Sequence, residues 1–150
     1  REQSFDLAEL AAREVTYLKA FVCGGGREKC DRKCAINMIR VGDHIYSGHG
    51  HGQGFPICIE WKTGKIVWGG KERGAGTGSA AITYADGQLY FRYQNGTMAL
   101  IEASTDGYKL NGKFDIPKGR YESWSHPVVW GGKLYLREQD NLLVYQLATK

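Results

Sequence analysis

Apolar and polar residues alternate through most of this chain in short runs, and one arrangement of those runs comes back three times. Val41-Gly42-Asp43-His44-Ile45-Tyr46, Ala85-Asp86-Gly87-Gln88-Leu89-Tyr90 and Trp130-Gly131-Gly132-Lys133-Leu134-Tyr135 each read as a strand, a tight glycine turn and a second strand entered through an aliphatic–tyrosine pair. From Tyr46 to Tyr90 to Tyr135 the spacings are 44 and 45 residues. Alternation with a period of two over so few residues predicts half-buried strands. A repeat of roughly 40–45 residues made of short strands predicts the blades of a β-propeller.

The repeat continues past each tyrosine. Phe91-Arg92-Tyr93-Gln94-Asn95-Gly96-Thr97-Met98-Ala99-Leu100 reads as a hairpin, and Asn95-Gly96 predicts a type I′ turn. Asp140-Asn141 holds the matching place before Leu142-Leu143-Val144-Tyr145, whereas the first copy swells there to Gly48-His49-Gly50-His51-Gly52-Gln53-Gly54. Each complete unit thus holds four short strands, which are stable only inside a larger array. Blades are expected at about 35–69, 79–116 and 125–150, the last stopping after its third strand. A chain that starts at Arg1 and stops in mid-blade is expected to be the C-terminal part of a larger propeller, completed by its other blades or by a partner chain. Residues 1–34 do not follow the repeat. Asp6-Leu7-Ala8-Glu9 fits a capping box, and Leu7, Leu10, Ala11, Leu18 and Phe21 share one helical face. A helix is therefore predicted over 7–20, followed by a cysteine-containing loop. The expected fold class is all-β: a propeller fragment of about three four-stranded antiparallel blades in 35–150, preceded by a short helix.

The segment Cys58-Ile59-Glu60-Trp61-Lys62-Thr63-Gly64-Lys65-Ile66-Val67-Trp68 resembles the tryptophan-docking motif of quinoprotein-like (PQQ-like) propellers, small-x-acidic-x-x-Thr-Gly-x-x-x-Trp. The resemblance, with the repeat, covers about 35–150. It implies that Thr63-Gly64 forms the turn between the two outer strands and that Trp68 packs between neighbouring blades. The second blade departs from the motif: Thr105-Asp106-Gly107 keeps a degenerate turn, and Phe114 stands as its closing aromatic. Catalytic members of that family bind PQQ with a calcium ion and carry a vicinal disulfide and a catalytic Asp. This chain has no adjacent cysteines and no evident cluster of oxygen-bearing side chains for calcium. The expectation is a non-catalytic binding or scaffolding module without a cofactor of its own. The alternative is a fragment of a PQQ-dependent dehydrogenase that oxidises an alcohol or sugar.

Composition narrows the partners. A hydrophobic fraction of 42% in 150 residues supports a real core. Twenty-one glycines against three prolines suit many turns between short strands. The net charge of +4 comes from scattered Lys and Arg, which argues against a nucleic-acid partner. No apolar run reaches the ~18 residues of a membrane span. Cys23, Cys30, Cys34 and Cys58 match no common zinc or haem spacing. Two disulfides, one disulfide within the loop with Cys58 merely buried, and a metal cluster all remain open. The even count points to an extracytoplasmic protein, periplasmic or secreted.

Five residues are candidate site residues. His49 and His51 lie in the glycine-rich loop and are a candidate metal pair, although side chains two apart on an extended segment point to opposite sides unless the glycines bend it. The plainer reading is a solvated turn. Arg92 and Arg137 recur two residues after the repeated tyrosine, so each shares its tyrosine's face. They are either donors for an anionic ligand or links between blades, paired with a carboxylate such as Glu102 or Glu138. Trp124 is a candidate stacking platform, with inter-blade packing as the plainer reading. Gly74-Ala75-Gly76-Thr77-Gly78-Ser79 precedes a strand and so lacks the helix that a phosphate cradle requires. The ligand, a protein or a small molecule, is not specified by these residues.

Overall fold

The computed structural model describes residues 37–49, 52–117, 119–121 and 124–147, together with the backbone of 15–19. The described residues form twelve strands in three antiparallel sheets. The first sheet contains β1 (Val15–Lys19), β2 (Asn37–Val41), β3 (His44–His49), β4 (Phe55–Glu60) and β5 (Ile66–Gly69), in that order. The second contains β6 (Ala80–Ala85), β7 (Gln88–Tyr93), β8 (Thr97–Glu102) and β9 (Leu110–Asp115). The third contains β10 (Val128–Trp130), β11 (Lys133–Glu138) and β12 (Asn141–Gln146). The molecule is all-β and blade-like.

The repeat seen in the sequence is a repeat of register. Tyr46, Tyr90 and Tyr135 face Ile39, Thr83 and Val128 on the preceding strand, and Cys58, Leu100 and Val144 on the following one. One backbone hydrogen bond recurs in all three sheets, from the end of the third strand to the first turn. It runs from Trp61 N to Asp43 O (2.8 Å), from Ala103 N to Gly87 O (3.0 Å) and from Leu147 N to Gly132 O (2.9 Å). β4–β5 in the first sheet and β8–β9 in the second slip register at the same place, after Cys58 and after Leu100. Asp86-Gly87 and Gly131-Gly132 take positive φ at both turn residues, the geometry that matches strand twist in a two-residue hairpin.

Two expectations are corrected. Where a helix was predicted over 7–20, the structure has strand β1, paired antiparallel to β2 from Val15↔Val41 to Lys19↔Asn37. Val15-Thr16-Tyr17 is a β-branched and aromatic run that favours extended backbone, and the edge of β2 gives it a full ladder partner. The capping box at Asp6 lies outside the described residues. The Asn95-Gly96 hairpin forms, but its loop has three residues between Tyr93 and Thr97. Gly96 alone takes positive φ (93°), and Gly96 N donates to Tyr93 O at 3.0 Å. This is a four-residue turn with a bulge glycine, not a type I′ turn.

Consecutive sheets pack face to face through alternating residues. Ile39, Tyr46 and Cys58 of the first sheet meet Ile82, Leu89 and Phe91 of the second, all buried. The opposite face of the second sheet presents Tyr90 and Met98 to Leu134 and Leu136 of the third. Burying one such large side chain contributes about 1.5–3 kcal/mol, so these two joints hold the stack together. Polar contacts join the first strands. Thr83 Oγ1 donates to Pro127 O at 2.6 Å, and the His126 ring lies 3.2 Å from Ile82 O and 3.1 Å from Asn37 Oδ1. His126 thereby ties all three sheets together.

Candidate functional site

Strand direction places the candidate residues at one end of the stack. His49, Arg92 and Arg137 sit at or near the ends of β3, β7 and β11, and Trp124 lies in the connection that enters β10. The structure does not treat them alike. Arg92 is buried, with its side chain 1% exposed, and forms an ion pair with Glu138, itself 6% exposed. Its guanidinium also donates to Ser125 O (3.1 Å), to Ser125 Oγ and to Arg137 O (2.7 Å). Glu138 Oε1 accepts from Gly119 N at 3.0 Å. Burial draws the guanidinium below its ordinary arginine value, and the Glu138 carboxylate opposes that by favouring the charged form. Of the two partners expected for Arg92, Glu138 is the one it takes; Glu102 pairs with Lys109.

Arg137 is exposed, and its Nε donates to Gln139 O at 3.1 Å. Trp124 is 56% exposed. His49 is exposed at the end of β3, and His51 lies outside the described residues. No group of three or more His, Cys, Asp or Glu placed to hold a metal exists among the described residues. Cys58 is a buried free thiol, pushed up by burial, which removes the fourth cysteine that two disulfides would need. Cys23, Cys30 and Cys34 lie outside the described residues.

The segment ending in Trp68 forms a turn and then a contact across the first joint. Thr63 Oγ1 donates to Glu60 Oε2 and accepts from Lys65 N at 3.2 Å, while Gly64 takes φ +70°. Trp68 Nε1 donates across the joint to Ser104 O at 2.8 Å. Its ring lies 6.0 Å from Tyr46 on its own sheet and 6.2 Å, edge on, from Tyr108 in the β8–β9 connection of the second. Phe114 bridges the next pair, with its ring 4.8 Å from that of Tyr145.

Beside Trp68 opens a cleft of about 300 Å³, lined by Pro56, Trp68, Gly69, Lys71, Glu72, Arg73 and Tyr108. Its volume lies at the lower end of the range that admits a small ligand. Two aromatic walls and two cations against one carboxylate favour an anionic guest with a flat apolar body. Tyr108 is pushed up by burial, so its hydroxyl stays a neutral donor and acceptor. Sequence reasoning missed this cleft, whose walls come from three separate segments.

Compared with known proteins, the sequence matches no family model, and no curated protein matches it. No helix among the described residues is long and apolar enough to cross a membrane.

Proposed function

We propose that the chain belongs to a quinoprotein-like β-propeller and works as a non-catalytic binding or scaffolding module. One observation carries the second half of this reading: Arg92, at the charged position of the repeat, is consumed in the joint between two sheets by Glu138 and Ser125. A residue so buried holds sheets together and has no face left for a substrate. The register repeat and the Trp68 contact across the first joint support the first half. The cleft beside Trp68 is the place for a small ligand, and the strand-end loops with His49 and Trp124 are the place for a larger one.

The test sets binding against catalysis. Purified protein is supplied with PQQ and calcium and assayed with an artificial dye acceptor on alcohols and sugars. The expected result is no PQQ-dependent dye reduction; turnover that depends on added PQQ would overturn the proposal in favour of a dehydrogenase. A parallel zinc titration examines the histidine loop: saturable binding abolished by His49→Ala would assign the loop to a metal, because neutral imidazole is a common zinc ligand.

A further inference from the structure

The chain turns sharply as it leaves the strand that ends in Trp68. Gly69 and Gly70 take φ +81° and +86°, Gly70 N donates to Pro56 O at 2.9 Å, and that same carbonyl leaves no room for a side chain on Gly69. The turn brings Lys71-Glu72-Arg73 into the lining of the cleft beside Pro56, Trp68 and Tyr108. Each part of the lining limits the guest. Trp68 commits its only polar group, Nε1–H, to Ser104 O, so it offers the cleft an apolar ring and nothing else. Tyr108 stands edge on to that ring and is 41% exposed. Two such rings favour a flat aromatic body over an aliphatic one of the same size.

The charges decide the rest. Lys71, Glu72 and Arg73 are all exposed, and none of their side chains makes a hydrogen bond or ion pair among the described residues. Arg40, Arg92 and Lys109, by contrast, each have a carboxylate partner. Two cations against one carboxylate leave a single positive charge in the lining, which suits a monoanion. The planar fork of the Arg73 guanidinium matches a carboxylate. Glu72 repels any anion, and a dianion twice as strongly. We propose that this cleft binds small aromatic monocarboxylates, with the ring against Trp68 and Tyr108 and the carboxylate on Arg73 and Lys71, while Glu72 excludes dianions such as phosphate monoesters. A volume of about 300 Å³ suits one ring with its carboxylate. The inference rests on the reading of this cleft as the small-ligand place of a binding module.

The experiment titrates the full chain with benzoate and follows the indole N–H of Trp68 by NMR, with Trp61, Trp124 and Trp130 as internal controls. A saturable shift confined to Trp68 is expected, with cyclohexanecarboxylate and acetate bound at least about fivefold more weakly. Arg73→Gln is expected to weaken benzoate about tenfold. Lys133→Gln, the same loss of charge on the third sheet, is expected to leave it unchanged. Glu72→Gln reads the exclusion: benzoate should bind about threefold tighter and phenyl phosphate, a dianion at about pH 8, about tenfold tighter, since it feels the removed charge twice. All three variants lie at exposed positions, and an unchanged thermal midpoint in each controls for folding. Benzoate bound no better than acetate, or indifferent to Arg73→Gln, would overturn the proposal. So would a wild-type protein that prefers phenyl phosphate, or one that prefers phenylalanine, whose ammonium would make Glu72 a partner. Those outcomes leave the broader binding role standing, whereas PQQ-dependent dye reduction overturns that role whatever the cleft binds.

Discussion

The joint between the first and second sheets and the joint between the second and third are built on one register and filled with different chemistry. At the first joint the position two residues past the repeated tyrosine is Gly48, whose missing side chain lets Ala80 approach; a Cβ there would lie 3.2 Å from that of Ala80. At the second joint the same position is Arg92, locked to Glu138. Around the first, the glycine-rich loop closes over the buried Tyr93 ring: a Cβ on Gly76 would fall 2.4 Å from that ring, and Gly54 takes φ +68° beside Gly78. One joint is therefore made by close approach and aromatic burial, the other by a desolvated charge pair inside a smaller apolar cluster. The backbone repeat fixes where sheets meet, and the side chains decide how a joint fails.

The largest expected effect breaks the second joint. Arg92→Met strands the Glu138 carboxylate in a buried site and should cost about 3–5 kcal/mol in a denaturant titration. Arg92→Met combined with Glu138→Leu should recover most of that loss, since removing both charges also removes their desolvation penalty. A single variant within about 1 kcal/mol of wild type would show that the pair is solvated, contrary to its burial. The counterpart at the first joint is Trp68→Ala, expected to cost about 2–3 kcal/mol, less than a fully buried tryptophan because the ring is half-exposed. Trp68→Phe keeps the ring contacts but loses the bond to Ser104 O, so about 0.5–1.5 kcal/mol is expected. Equal losses in the two variants would assign the docking to the hydrogen bond alone.

Alkali separates the joints more gently. Burial holds Tyr46 and Tyr93, both at the first joint, well above the ordinary tyrosine value, and raises Tyr90 at the second. A raised folded-state value means that the neutral phenol favours folding. That contribution is complete below the unfolded value of about 10 and is lost as pH climbs toward the folded-state values. Stability should therefore fall above about pH 10, with tyrosinate absorbance rising in step with unfolding and not ahead of it. The smallest effect is kinetic. Cys58, buried and with its thiol pushed up, should react with a thiol reagent no faster than the chain opens, and Trp68→Ala should speed that reaction while a control at exposed Trp124 should not.

Much of this architecture was legible in the sequence because turns and alternation are local signals. Gly42-Asp43, Asp86-Gly87 and Gly131-Gly132 announce hairpins wherever they occur. The strand at 15–19 was not legible, because Leu7, Leu10, Ala11 and Leu18 also satisfy helical spacing and only the edge of β2 decides between the two. At the candidate site, the pairing of Arg92 was readable as a choice between two carboxylates. The contacts that settle it lie 33 and 46 residues away, as do the remote partners of His126 at 44 and 89 residues. Such contacts leave no local pattern. The cleft beside Trp68 was hidden for the same reason.

The turn after β3 shows what the register tolerates. From each repeated tyrosine to its partner on the third strand the count is 12 residues in the first sheet (46 to 58), 10 in the second (90 to 100) and 9 in the third (135 to 144). Yet the closing bond back to the first turn is the same in all three. Length added at this one connection is absorbed there and never reaches the ladder. This connection is thus the frame's own graft point: added length there changes the loop while the ladder keeps its phase, so long as Gly54, which has no room for a side chain beside Gly78, is kept.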